Sequence, residues 1–239
     1  MCQDSALSGS KFFVTSGGEA ALYLVLARSQ SAAPGGGMSA LLVEKDSPGL
    51  RFGRPEEKLG LTATSSRELF FHDCRVPGEN LLGNEGEGGR VVHASVLNWG
   101  FFGAAAISVG LARAATDVAL RHARERTIAG QPIGAHQAVQ SLLSDMVVAT
   151  DAAEALLERC ARDSDGSPET TGLNAFKGKL FASETAIEVC NKALQVMGGH
   201  GYTRDYPVER LLRDSRGLTL HFKTSEWLRQ DIARGLLGL

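Results

Sequence analysis

The sequence predicts an α+β chain, a small β-rich part followed by an up-and-down α-helical bundle, and three observations carry that prediction. Up to about Pro77 the apolar residues come in short runs rich in β-branched and aromatic side chains, separated by glycine, proline and serine turns. Residues 83–89, GNEGEGG, break the composition. Beyond that break the apolar spacing becomes helical over long windows. The expected units are residues 1–88 and 89–239.

In chain order, strands are expected at 11–15 (KFFVT), 21–29 (ALYLVLARS), 40–45 (ALLVEK) and 68–77 (ELFFHDCRVP). Gly17-Gly18, the glycine run 34–37 and Asp46-Ser47-Pro48-Gly49 supply the turns between them. The alternation in FFVT is also that of a plain core strand. Three long helices follow at about 90–125, 136–162 and 172–197. Ala104, Ala105, Ala106, Gly110 and Ala112 on the first would let neighbouring helices approach closely. Gly198, Gly199 and Gly201 then end the helical run and allow positive φ beside a large ligand. Pro207 opens a short helix anchored by Leu211 and Leu212, and a last amphipathic helix starts near Thr224.

With 239 residues, 43% hydrophobic and 22% charged, the chain can bury a sizeable core in one or two domains. A formal net charge of −2 gives no electrostatic case for nucleic acid or an anionic membrane. Cys2, Cys74, Cys160 and Cys190 lack CxxC spacing, which argues against zinc or a disulfide frame and for reduced thiols in a cytoplasmic setting. No secretory signal opens the sequence. No stretch approaches the roughly 20 apolar residues that span a bilayer.

The order helix, GGHGY, YPVERLLRD, loop, helix over residues 195–230 closely resembles the C-terminal signature of the acyl-CoA dehydrogenases, and residues 58–83 resemble the end of that family's middle β domain. The resemblance covers nearly the whole chain. It implies an FAD flavoprotein, oligomeric with FAD at the subunit interface, that oxidises an acyl-CoA or acyl-carrier thioester at its α,β-carbons. It also implies that the family's N-terminal helical domain and first β segment precede what is present here. That part would be absent from this chain and supplied by another polypeptide, lie outside a fragment, or have been shed.

By that resemblance Phe13, Val14 and Thr15 stand where the family holds its flavin with Trp-Ile-Thr. Thr15 keeps the hydroxyl, and Phe13 keeps a stacking face. Arg126, Gly130 and Gln137 match the family's Arg-x-x-Phe-Gly…Gln turn, with Ala129 in place of the phenylalanine. There an arginine reaches the FAD pyrophosphate of a neighbouring subunit. Gln195, Gly198 and Gly199 match its Gln-x-x-Gly-Gly segment, and Thr224 its flavin-contacting threonine. Taken alone, Arg126 also reads as a helix C-terminal arginine and Gly198-Gly199 as a helix cap.

One position departs. The family's proton-abstracting glutamate falls on Phe222, and its alternative site on the first bundle helix falls on Gly100, with Phe101 in a neighbouring arginine's place. Residues 98–102 (NWGFF) then suggest an apolar lining. His221 and Glu226 are the candidate substitute bases, His221 first because an imidazole titrates near pH 6.5. Three functions stay open: intrinsic α,β-dehydrogenation with a partner chain, a catalytically silent subunit that completes a partner's FAD site, and flavin chemistry that needs no carboxylate base.

Overall fold

The computed structural model describes residues 4–29, 37–164 and 168–239. Cys2 and most of the 34–37 glycine turn fall outside them. The chain divides into two compact units, Met1–Ser95 and Val96–Leu239.

The first unit is two small antiparallel sheets. β1 (Ser5–Thr15), β5 (Ser66–Val76) and β4 (Leu50–Pro55) pair in the order β1-β5-β4. β2 (Leu22–Arg28), β3 (Met38–Glu44) and the short β6 (Leu81–Leu82) pair in the order β2-β3-β6. The alternation read from the sequence puts Leu69, Phe71 and Cys74 of one sheet against Tyr23, Leu41 and Val43 of the other in a single core, and Leu7, ahead of the expected 11–15 strand, joins it because β1 starts at Ser5. β4 has no counterpart among the expected strands, because its LRFGRP sequence carries two arginines, a glycine and a proline. Helix α1 (Gly88–Ser95) belongs to this unit and packs on β3. The other face of β2 presents Leu22, Leu24 and Leu26 outward.

The second unit is helical, as the fold class predicts. After a π-helical stretch at Val96–Phe101 come α2 (Phe102–Glu125), α3 (Gln137–Arg162), α4 (Pro168–Met197), α5 (Val208–Leu218) and α6 (Ser225–Leu237). α4 is the central element and packs against all four of the others. Its seam with α2 is built from small residues one turn apart. Ala112, Ala115, Ala119 and Ala123 meet Ala186, Val189, Cys190 and Ala193, all buried. Cys190 is sealed there, and burial pushes its thiol up to about 12. Trp99–Glu125 is long and apolar enough to cross a membrane by length and composition, which the sequence reading did not expect. Its apolarity is this alanine seam, turned into the bundle.

The short helix after Pro207 runs further than expected, to Leu218, so Arg213 and Asp214 lie inside α5 rather than at its end. Arg213 grips Glu209 one turn back through a fork, Nε–Oε2 2.7 Å and Nη2–Oε1 3.0 Å.

Candidate functional site

Two regions of the bundle gather the residues singled out in the sequence. The first is an open cleft of about 680 Å³ where the end of α2 meets the segment after α4. Arg126 closes α2, its N–H donating to His122 at 2.9 Å. It leads into a two-residue hairpin between β7 (Thr127–Ile128) and β8 (Gln131–Pro132). Ala129 and Gly130 turn it with φ of 52° and 81°, the pattern of a type I′ turn. Opposite, α4 ends at Met197 and a 3₁₀ turn, Gly198–Tyr202, follows.

The three glycines of that turn do different work. Gly198 takes φ of 57°, and a Cβ there or at Gly199 would meet nothing within 4 Å, so both face open space. Gly201 is needed for packing, since a Cβ would stand 2.9 Å from the Leu194 carbonyl oxygen. Positive φ is thus confined to Gly198, where the sequence allowed it at all three.

Arg126, Gly198 and Gly199 line the cleft together with His122, His200 and Tyr206. The His122 and His200 rings lie 5.7 Å apart, and His200 meets Tyr206 edge-on at 5.4 Å. Burial, then the charges of His200 and Arg126, hold the His122 pKa below its ordinary value. Arg126 supplies a fixed positive charge, with Asp205 in the same wall as counter-charge. An arginine beside glycines that leave backbone uncovered fits a phosphate-bearing ligand in chemistry. Gly130 sits in the adjoining hairpin; Gln137 and Gln195 are exposed and do not line the cleft. His122 was missed, although it lies one helical turn before Arg126 on the same face.

The second region is the loop between α5 and α6. Lys223 N–H donates to the His221 carbonyl at 2.7 Å, closing a tight turn around Phe222, whose φ is 60°. A three-residue turn about a left-handed centre is the rare, strained kind. The Phe222 ring lies 5.4 Å from that of Phe101, and a Cβ added to Gly100 would stand 2.9 Å from it. The two positions where the resemblance places a glutamate are therefore neighbours, one a phenyl and the other the glycine beneath it. Phe101 is buried against Phe176, Ala175 and Leu228. Of residues 98–102, Phe101 and Phe102 pack in this apolar cluster while Trp99 is 81% exposed; the Asn98 side chain lies outside the described residues.

His221 Nδ1 lies 2.9 Å from the Gly217 carbonyl oxygen, which can only accept. In the neutral ring this puts the proton on Nδ1 and leaves the lone pair on Nε2. Thr224 caps α6 without a side-chain bond to its backbone, and Ser225 beside it has a buried Oγ with no hydrogen-bond partner among the described residues. An orphaned hydroxyl at a helix N-terminus fits a polar ligand group there. Glu226, exposed in the first turn of α6, is held below the usual carboxylate range by its bond to Thr224 and by the helix backbone. The sequence overlooked Ser225 and, beneath the loop, Lys179.

Phe13 and Thr15 belong to the β unit. The FFVT alternation does not make a core strand. β1 bulges between Lys11 and Val14, Phe13 adopts φ of 55°, and its ring is 73% exposed. Thr15 is exposed, paired with Ser66 of β5. Both are free to meet a ligand.

The chain's likeness to known proteins agrees with these elements. Residues 3–74 match the family described as acyl-CoA dehydrogenase, middle domain, and residues 86–237 match acyl-CoA dehydrogenase, C-terminal domain. An acyl-CoA dehydrogenase of Bacillus subtilis is 40% identical over 232 residues, 97% of this chain and 61% of that protein. The acryloyl-CoA reductase (NADH) of Anaerotignum propionicum is 39% identical over 97% of this chain and 58% of its own length. Among solved structures, butyryl-CoA dehydrogenase from Megasphaera elsdenii superposes with a TM-score of 0.92 at 34% identity, over 98% of this chain and 61% of that one. The prolyl acyl carrier protein oxidase AnaB gives 0.91 at 31%, over 99% and 62%. The chain spans about three fifths of the relatives it matches. With both of its units matched in order, the chain belongs to the acyl-CoA dehydrogenase family.

Proposed function

We propose that this chain holds FAD in an oxidoreductase that acts on the α,β-carbons of an acyl-CoA or acyl-carrier thioester, working in an oligomer with a partner chain. The observation that carries it is the cleft, where Arg126 faces the uncovered backbone of Gly198 and Gly199. Arg126 would neutralise the pyrophosphate, with Gly130 in the adjoining hairpin; Gln137 and Gln195, exposed outside the cleft, would meet the cofactor only beyond its rim. Thr224 and the unbonded Ser225 hydroxyl would receive a polar edge of the flavin; Phe13 and Thr15, exposed in the β unit, are flavin-contact candidates by the resemblance alone. Bound FAD supplies the hydride acceptor for the β-carbon.

The protein's part in the chemistry is to remove the α-proton, and Phe222 cannot accept one. In this reading the base is His221, whose Nε2 lone pair is left open by the Nδ1 bond to Gly217. A second reading, a catalytically silent subunit that completes a partner's FAD site, is favoured by the phenyl packed on Gly100.

Anaerobic mixing of the FAD-loaded protein with butyryl-CoA separates the two. Bleaching that is lost in His221→Gln supports intrinsic oxidation. A flavin that stays oxidised, yet bleaches once an active partner chain is added, supports the silent subunit. Failure to bind FAD with or without a partner overturns both.

A further inference from the structure

Lys179, midway along α4, is the largest side chain among the described residues with no exposure to solvent. A buried ammonium is disfavoured unless its protons are used. Lys179 Nζ donates to the carbonyl oxygens of Lys223 at 2.8 Å and Thr219 at 3.3 Å, the two sides of the loop that bends at Phe222. No carboxylate lies within ion-pair distance of it among the described residues, and burial pulls its pKa down to about 8. A lysine buried without a counter-charge carries a desolvation cost that an apolar side chain would not, so charge pairing does not account for a lysine here. What a lysine adds is a pair of donors aimed at two backbone acceptors on either side of a strained residue.

We propose that Lys179 is the positioning residue of the 219–224 loop. By holding the carbonyls of Thr219 and Lys223 it fixes residue 222 in its left-handed turn and sets its side chain against Gly100. Its weight in any reaction rests on the flavin reading above, since His221 and position 222 are both presented by this loop; the fixing itself does not.

The test is amide hydrogen exchange on the ligand-free protein, so its failure is distinct from failure to bind FAD. Lys179→Met removes the donors, and Lys179→Gln restores an uncharged one on a shorter side chain. In Lys179→Met the amides of residues 221–223 are expected to exchange at least about tenfold faster than those of α5, whatever fall in urea resistance the lost bonds bring to the whole unit. Lys179→Gln is expected to recover part of the protection. Unchanged exchange in the methionine variant, or equal loss in both variants, overturns the proposal. The unaltered protein gives an independent arm should the methionine substitution prevent folding: the Lys223 amide is expected to be protected like those of α5, and exchange at the rate of an open loop would overturn it.

Discussion

The cleft at Arg126 and the loop at Phe222 share α4, whose C-terminal end supplies the glycines of the first and whose middle supplies the lysine beneath the second. Each carries one non-glycine residue at positive φ, Ala129 in the hairpin and Phe222 in the tight turn. They differ in what the side chains offer. The cleft combines a guanidinium with open backbone, whereas the loop keeps a demanding backbone conformation and fills the position with a phenyl ring. Backbone placement and chemical group are thus separable in this chain: the loop keeps its turn while residue 222 carries a ring that cannot take a proton.

The difference can be broken first at the cleft. Arg126→Met removes its fixed positive charge, and losing a charge-assisted contact of about 1.5–3 kcal/mol weakens FAD binding roughly 10- to 150-fold, read by flavin fluorescence titration. An unchanged dissociation constant would take Arg126 out of the clasp. Gly201→Ala forces a methyl group to 2.9 Å from the Leu194 carbonyl, an overpacking that costs about 1–3 kcal/mol in urea unfolding. Gly198→Ala meets no atom and pays only for its φ of 57°, about 1 kcal/mol. Equal losses at the two would mean that Gly201 is not the packed one.

The gentlest probe concerns the loop and pH. Lys179 has a folded pKa of about 8 against a usual 10.5, so between those values the unfolded chain binds the extra proton and stability rises with pH from this group. Cys190 works oppositely above about pH 9, because its thiol is raised to about 12 when folded. Comparing the protein with Lys179→Met from pH 8 to 9 cancels the cysteines. The stability of the variant is expected to gain less over that interval, and parallel curves would remove the lysine from the balance.

Much of the fold was legible because its signals are local. Alternation gave β2, β3 and β5, and the alanine spacing gave the α2 seam to within a turn. β4 escaped because its pairing with β5 overrides poor strand propensity, and the exposed Phe12 and Phe13 escaped because a bulge turns them out. At the cleft, Arg126 and the two glycines were readable as motifs. His122 and Tyr206 were not, since their approach to His200 depends on how α2 and the segment before α5 pack. Lys179 reaches an acceptor 44 residues away, a contact that no window of sequence contains.

The most direct test of the separation between clasp and chemistry is to mix the FAD-loaded protein and its Phe222→Glu variant, at equal flavin content, anaerobically with the same acyl-CoA. A positioned general base contributes about 10²- to 10⁴-fold where none acts already, so with His221→Gln in both proteins the Phe222→Glu flavin should bleach faster by that factor while binding FAD as before. Equal bleaching rates in the two proteins would show that residue 222 does not stand at the reacting carbon, and would contradict the account.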